Sequence, residues 1–124
     1  MISKKIAKAV VHSLEELKGI SITCIDVQKL TQITDYMVIV TGTSNTHLKA
    51  LSAAVVKDMK SAGVRIVGVE GRLQAEWVLV DLDVVIVHIM LAPARTLYNL
   101  EGLWDFDTES VTDLITDSKT ELQK

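Results

Sequence analysis

The sequence predicts a single α/β domain, with a mixed β-sheet of about five strands flanked by helices. Three observations support this. The chain has 124 residues, a length at which one hydrophobic core is usual. Its composition, 48% hydrophobic and 23% charged with one proline, is typical of a globular protein. Segments of helical periodicity alternate with β-branched runs in the order αβ-βα-βββ-α, which indicates helices packed on a sheet.

The first elements are a helix and two strands. Residues 4–18 have apolar side chains at helical spacing, with Ser3 placed as an N-cap and Gly19 as the stop. These apolar residues are Ile6, Val10, Leu14 and Leu17. Residues 20–27 alternate apolar and polar side chains, which predicts a strand with Ile20, Ile22 and Cys24 on one side. The continuous apolar run 36–40 predicts a buried central strand.

A second helix and three strands follow. Residues 41–45 predict a turn into a helix that Ser44 or Asn45 caps and Gly63 ends. Its inward stripe has spacings of three and four: Leu48, Leu51, Val55, Met59 and Ala62. Residues 64–69 predict a third strand. Residues 76–81 and 84–90 are β-branched runs joined by a short polar step, which is typical of a hairpin.

A short helix and an acidic tail end the chain. Pro93 suits the first turn of a helix running through Leu97, Leu100 and Leu103. We expect residues 1–105 to form the domain and residues 106–124 to be an acidic C-terminal tail. The tail has apolar residues that favour a frayed helix, namely Val111, Leu114, Ile115 and Leu122.

Charge and cysteine content narrow the function. Residues 1–60 hold eight lysines against five acids, whereas residues 61–124 hold five basic residues against eleven acids, a balance of −6. The second half therefore repels phosphate and attracts a basic partner; the alternative is a solvated acidic surface without function. The longest apolar stretch, 84–92, is too short to span a membrane. Cys24 is the single cysteine, so no disulfide forms within the chain, and we expect a cytoplasmic location.

Several residues have the type and spacing that could bind a phosphate or a metal ion. The turn at Gly42 could cradle a phosphate, but it has no further glycines and no P-loop lysine, which favours a simple tight turn. Asp81 and Asp83 have the spacing of metal-binding carboxylates in nucleotidyltransferases, with Asp26 or Glu70 as the third acid. Because both lie where the hairpin turns, turn formation is the favoured interpretation.

The histidines and tryptophans each allow a structural and a functional interpretation. The three histidines lie on different elements, so zinc-like spacing is absent. His88 lies within an apolar strand and is interpreted as a buried, hydrogen-bonded imidazole. Ser44 lacks the flanking glycines of a nucleophile elbow. Trp77 and Trp104 stand at the ends of elements, where they either cap the core or form a protein–protein hot spot.

An ordered set of motifs resembles the Iojap-like ribosomal silencing factors (RsfS). The resemblance covers about residues 4–105, and the set is far more specific than any one motif. The motifs are Thr41-Gly42-Thr43-Ser44, Val69-Glu70-Gly71, Glu76-Trp77-Val78-Leu79-Val80-Asp81, Val87-His88-Ile89-Met90, Arg95 through Tyr98, Leu100-Glu101 and Leu103-Trp104.

The resemblance implies a cytoplasmic translation repressor that binds the free large ribosomal subunit at its intersubunit face. Members of the family dock on ribosomal protein fourteen of that subunit, and their bulk blocks joining of the small subunit, so translation falls when nutrients are short. The family resembles nucleotidyltransferases in fold but is not known for their activity, so we expect no enzyme, no metal and no cofactor. Homodimers are familiar in the family.

Two positions depart from the family pattern. The family's hairpin turn usually reads Asp, an apolar residue, then Gly-Asp, whereas this chain has Asp81-Leu82-Asp83-Val84. Any role of the second acid of that turn is therefore in doubt here. Thr46 stands where many relatives have arginine.

We expect Trp77 to be the centre of a protein-binding surface, with Glu70, Glu76 and Leu79 nearby on the same region of the sheet. A second group either completes or braces that surface: Tyr98, Leu100, Glu101, Leu103 and Trp104. The acidic second half of the chain suits a basic ribosomal protein. We expect no direct sequence-specific contact with nucleic acid and no membrane contact. The rival functions are a metal-dependent nucleotidyltransferase and an RNA-binding module.

Overall fold

The computed structural model describes residues 2–71 and 75–102. Its helices are α1 (Ser3–Glu16), α2 (Asn45–Ser61) and α3 (Ala92–Tyr98), and its strands are β1 (Ile20–Asp26), β2 (Tyr36–Gly42), β3 (Gly68–Glu70), β4 (Trp77–Asp81) and β5 (Val85–Leu91). This order along the chain is the predicted one. No described helix is long and apolar enough to cross a membrane. The expected acidic tail, 106–124, lies outside the described residues.

The five strands form one mixed sheet in the order β1-β2-β5-β4-β3. Strands β2 and β5 run parallel, and the other neighbouring strands run antiparallel. This confirms the predicted mixed sheet and the predicted hairpin of β4 and β5. Every residue of β2 is buried, which explains why the run is apolar on both of its faces.

Helices α1 and α2 pack together on one face of the sheet. Their inward stripes meet a valine-rich layer from β2, β4 and β5, including Val38, Val40, Val78, Val80 and Val87. Ser44 caps α2 as predicted, because its hydroxyl oxygen accepts a hydrogen bond from the His47 N–H at 3.1 Å. The larger of the two hydrophobic cores lies between these helices and the sheet.

Helix α3 packs on the opposite face, against β5 and β2. A smaller core forms there from β1, the segment that follows it, β2, β5 and α3: Ile25, Val27, Met37, Ile39, Met90 and Ala94. Among the described residues, no helix covers β4 and β3 on this face. One half of this face is therefore left uncovered by the helices that the structure describes.

Two strands differ from their predicted form. The third strand contains only Gly68–Glu70 rather than 64–69, because β4 offers a pairing partner only as far as Asp81. In β1 a bulge falls between Ile20 and Thr23, and Ser21 has a φ of +50°. The bulge leaves Ile20 44% exposed, although simple alternation had put it on the same side as Cys24.

The turn between β4 and β5 explains the departure at Asp83. Asp83, which stands where the resemblance implies a glycine, has a φ of +70°, a left-handed conformation that aspartate tolerates better than most residues. Its N–H donates to Asp81 Oδ1 at 2.8 Å. This confirms the expected use of Asp81 in forming the turn. Val84 lies half-buried against the larger core.

Replacing Asp83 by glycine should stabilise the fold by up to about 1 kcal/mol, because a left-handed conformation costs a residue with a Cβ more than it costs glycine. Gly63→Ala is the matched control. Gly63 has a φ of +81° with no atom within 4 Å of an added Cβ, so alanine there should cost about 1 kcal/mol through the backbone alone. Urea unfolding midpoints measure both changes. A lower midpoint for Asp83→Gly would contradict the assigned turn geometry.

Candidate functional site

The uncovered half of the sheet has side chains from three strands. Strand register places Glu70 opposite Leu79, and Asp81 opposite Ile86, while Trp77 precedes Leu79 by two residues on the same side of β4. We call these five residues the open face. It combines three apolar side chains with two acidic ones, which is the chemistry of a surface that binds a protein with basic groups.

Trp77 lies half-buried at one end of the open face. Its indole N–H donates to His88 Nδ1 at 3.0 Å. Its ring packs on Tyr98, with 4.9 Å between the ring centroids and 46° between the planes. Tyr98, at the end of α3, is 54% exposed. The two rings thus form an aromatic pair that is fixed from beneath and accessible from outside.

His88 holds the indole from inside the sheet. It is 5% exposed, and burial lowers its pKa from 6.5 to about 4. The imidazole is therefore neutral near pH 7 and can accept the indole hydrogen at Nδ1, which puts its own proton on Nε2. Nε2 is buried and has no hydrogen-bond partner among the described residues. The expectation of a buried, hydrogen-bonded His88 is confirmed.

A clamp centred on Arg95 holds α3 against the sheet. The Arg95 guanidinium forms a two-point pair with Glu101, with Nε and Nη2 each 3.0 Å from a carboxylate oxygen. It also donates to the Ser21 carbonyl, Thr41 Oγ1 and Thr23 Oγ1 at 2.7–2.9 Å. The hydrogen bond from Arg95 lowers the pKa of Glu101. The clamp joins α3 to β1 and β2 and so fixes the helix that carries Tyr98.

The structure brings together only some of the residues expected in the protein-binding surface. Trp77, Leu79 and Glu70 share the open face, and Tyr98 joins them through Trp77. Glu76 is exposed just before β4, and alternation along the strand separates it from the side chain of Trp77.

The remaining members of that group lie elsewhere. Leu100 packs on the smaller core, and the Glu101 carboxylate is held by Arg95 and accepts from Thr23 Oγ1 at 3.3 Å. Both positions brace α3. Leu103 and Trp104 lie outside the described residues.

Sequence reasoning missed three participants. Asp81 is on the open face as well as in the turn, and the two-residue alternation from Trp77 through Leu79 could have indicated this. Ile86 is brought there by the hairpin register. Arg95 binds Ser21, Thr23 and Thr41, which precede it by 74, 72 and 54 residues. The sequence has no local pattern that indicates these contacts, because only the tertiary fold brings the residues together.

The other candidate sites, for a phosphate at the Gly42 turn and for a metal ion, have no support in the local structure. At the Gly42 turn, the Thr43 N–H donates to His47 Nδ1 at 2.9 Å, and Ser44 accepts from the His47 N–H, so these amides are engaged within the protein. An added Cβ at Gly42 would lie 2.6 Å from Leu48 Cδ2, which explains the glycine as one of close packing. Within residues 2–71 and 75–102, no three acidic, histidine or cysteine side chains are grouped to hold a metal ion.

Lowering the pH should decrease the free energy of unfolding through His88. The unfolded imidazole takes up a proton near its ordinary pKa of 6.5, whereas in the folded protein it does so only near 4. The contribution is complete above pH 6.5 and is lost as the pH falls toward 4, by about 3 kcal/mol at most. Denaturant unfolding at a series of pH values measures the slope.

His88→Leu is the control for this measurement and should flatten the slope between pH 6.5 and pH 4. Glu101 adds a separate loss of stability at lower pH, because Arg95 lowers its folded pKa below the ordinary value of 4.5. An unchanged slope in His88→Leu would show that other groups cause the dependence.

Comparison with known proteins finds a family model and several relatives that match this chain over most of its length. A family model described as "Ribosomal silencing factor during starvation" matches residues 2–124. The ribosomal silencing factor RsfS of Chromobacterium violaceum is 45% identical over 101 residues, which is 82% of this chain and 83% of the relative. A mouse relative, named "Mitochondrial assembly of ribosomal large subunit protein 1", is 36% identical over 97 residues, covering 76% of this chain and 42% of its own.

A solved structure agrees with this assignment. A crystal structure of a Chromobacterium violaceum protein superposes with a TM-score of 0.82 at 44% sequence identity, covering 84% of this chain and 87% of that one. The names of the family and of this relative describe ribosomal silencing factors, as the resemblance implied. The chain belongs to the family of ribosomal silencing factors.

Proposed function

We propose that this protein represses translation by binding the large ribosomal subunit at its intersubunit face and sterically blocking the small subunit. In this proposal the open face contacts ribosomal protein fourteen of the large subunit, and the two-helix layer on the other side of the sheet adds the bulk. The mechanism requires occupancy rather than turnover. It takes place in the cytoplasm and uses neither a cofactor nor a metal ion.

The observation that carries the proposal is the aromatic pair on the open face. Trp77 and Tyr98 lie in ring contact beside Leu79, and Glu70 and Asp81 are the acidic residues of the same surface. Tryptophan and tyrosine are the residues that most often dominate protein–protein binding energy. Acidic residues around them suit a partner embedded in RNA, whose own surface is basic.

The contact between Trp77 and His88 supports the same surface in another way. The indole is oriented before any partner arrives, because its N–H is bound to a buried, neutral acceptor. A side chain that is ordered in the free protein loses less conformational entropy on binding. The hydrogen bond also satisfies the polar end of the indole, so its exposed ring surface can be covered without leaving an unpaired donor.

A homodimer through the same surface is part of the proposal as a means of regulation. The open face is apolar enough to pair with itself, but its two acidic residues would meet their own copies and repel them. We therefore expect self-association to be weak compared with binding to the basic ribosomal partner.

Trp77→Ala should weaken binding to the large subunit by about 30- to 1000-fold, the effect of removing a hot-spot tryptophan. Sedimentation of purified large subunits with increasing protein measures the affinity, and re-association with small subunits measures the block. Leu17→Ala removes a partly exposed apolar side chain on the helical side and should leave both unchanged. The proposal is wrong if saturating protein does not slow subunit joining.

Substitutions at His88 test whether orientation of the indole matters. His88→Leu removes the acceptor and should weaken binding about three- to tenfold, the net value of one hydrogen bond. His88→Asn places an amide oxygen close to the former Nδ1 position and should restore part of the affinity. The indole proton signal of Trp77 in NMR spectra reports the hydrogen bond directly. Equal affinity of the leucine variant at equal stability would show that the bond is structural only.

A further inference from the structure

The helical layer leaves a groove beside α2. Two helices cover the sheet on this side, and β3 at the sheet edge extends past them. The groove lies between α2 and the segment that leads into β3, with a volume of about 1160 Å³. Pockets for small molecules usually measure about 300–1,000 Å³ and enclose their ligand. This open groove therefore suits a segment of polypeptide better than a small ligand.

The groove has an apolar floor and a basic wall. Val56, Ile66 and Val69 line the floor and pack half-buried on the larger core. Lys49, Lys57 and Lys60 line the wall and all come from α2. None of the three pairs with a carboxylate within the described part of the chain. We call this feature the lysine groove.

These residues specify the chemistry of the occupant. A half-buried apolar floor requires apolar side chains, and lysines along one wall require acidic groups along one side of the occupant. No aromatic side chain among the described residues lines the groove, so it lacks the stacking platform that single-stranded nucleic acids use. An amphipathic helix with an acidic flank meets both requirements.

The C-terminal segment of this chain has that pattern. Residues 106–124 contain five acidic residues and two lysines. Apolar residues recur at helical spacing: Val111, Leu114, Ile115 and Leu122. Acids recur every fourth residue: Glu109, Asp113, Asp117 and Glu121. On a helix of 3.6 residues per turn, Asp117 and Glu121 would flank one side of the apolar stripe.

We propose that residues 111–122 bind as an amphipathic helix in the lysine groove of the same molecule. Their apolar stripe covers Val56, Ile66 and Val69, and their acidic flank faces the lysines of α2. The bound segment acts as a third helix of the layer and covers the edge of the sheet at β3. An edge strand left uncovered tends to pair with other chains, and a covering helix prevents this.

The connecting residues are long enough for this arrangement. The described chain ends at Gly102, next to the Arg95 clamp on the α3 face, and eight residues separate it from Val111. At about 3.4 Å per residue, the nine steps from Gly102 to Val111 span up to about 31 Å. The outer strands of a five-stranded sheet lie about 19 Å apart, and crossing from the α3 face to the helical face adds about 10 Å on each side of the sheet, so the path is about 28 Å. The groove is on the helical side, so the bound segment leaves the open face free.

Paramagnetic labelling of the full-length chain tests the proposal. A nitroxide attached through Thr120→Cys would lie on the side of the helix away from the apolar stripe, so it does not disturb the contact. In a ¹⁵N-labelled sample, amide signals of α2 and β3 should broaden strongly, and those of β1 should not. The unsubstituted chain, treated in the same way, shows whether the buried Cys24 takes up label.

A charge exchange distinguishes the proposed contact from a general attraction. Lys57→Glu with Lys60→Glu should reduce the broadening in α2 at least threefold, and Asp117→Lys with Glu121→Lys should do the same. All four changes together should restore it. The control is Lys5→Glu with Lys18→Glu, which changes the net charge equally outside the groove and should have little effect.

Three outcomes would overturn the proposal. Broadening confined to residues near the open face would place the segment on the other side of the sheet. Strong broadening of α2 and β3 in a mixture of nitroxide-labelled ¹⁴N protein with ¹⁵N protein that carries no nitroxide would show a contact between two copies. Uniform weak broadening would show that the segment has no fixed site. Each readout is independent of ribosome binding, so failure of the proposed function would leave this test unaffected.

Discussion

The parallel pairing of β2 and β5 is the constraint from which the rest of the architecture follows. Strands in parallel pairs are buried on both faces, so the protein covers this pair from both sides, with α1 and α2 above and α3 below. Antiparallel strands tolerate solvent on one face. The open face is therefore found mainly at β4 and β3, where the sheet is antiparallel and no described helix covers it, and β5 adds only Ile86.

Two sets of side chains organise the face of the sheet on which α3 packs. The Arg95 clamp joins α3 to β1 and β2 through three hydrogen bonds, and two more go to the charged Glu101. The contact of Trp77 with His88 and Tyr98 fixes the aromatic surface beside it. Because α3 carries both Arg95 and Tyr98, the clamp also determines where the aromatic pair lies. A polar network thus positions an apolar surface.

Two clusters of opposite charge lie on opposite sides of the sheet. Glu70 and Asp81 are on the open face, whereas Lys49, Lys57 and Lys60 line the groove on the helical side. The two halves of the sequence differ in charge in the same sense, since α2 belongs to the first and β4 to the second. The proposed ribosomal contact and the proposed contact of the C-terminal segment use these two sides separately. A protein of this size can in this way hold two surfaces of opposite charge.

The sequence by itself determined the element order, the buried character of β2, a cap of α2 at Ser44 or Asn45, and the family, because each depends on local periodicity or on short motifs. It also indicated Trp77 and Leu79 together, since they alternate along one strand. Only the tertiary structure decided that Glu70 lies beside Leu79, that His88 accepts the indole hydrogen and that Glu101 pairs with Arg95 near β1. Strand register and the packing of α3 create these contacts. Local sequence patterns cannot indicate them, because the residues are distant from one another in the chain.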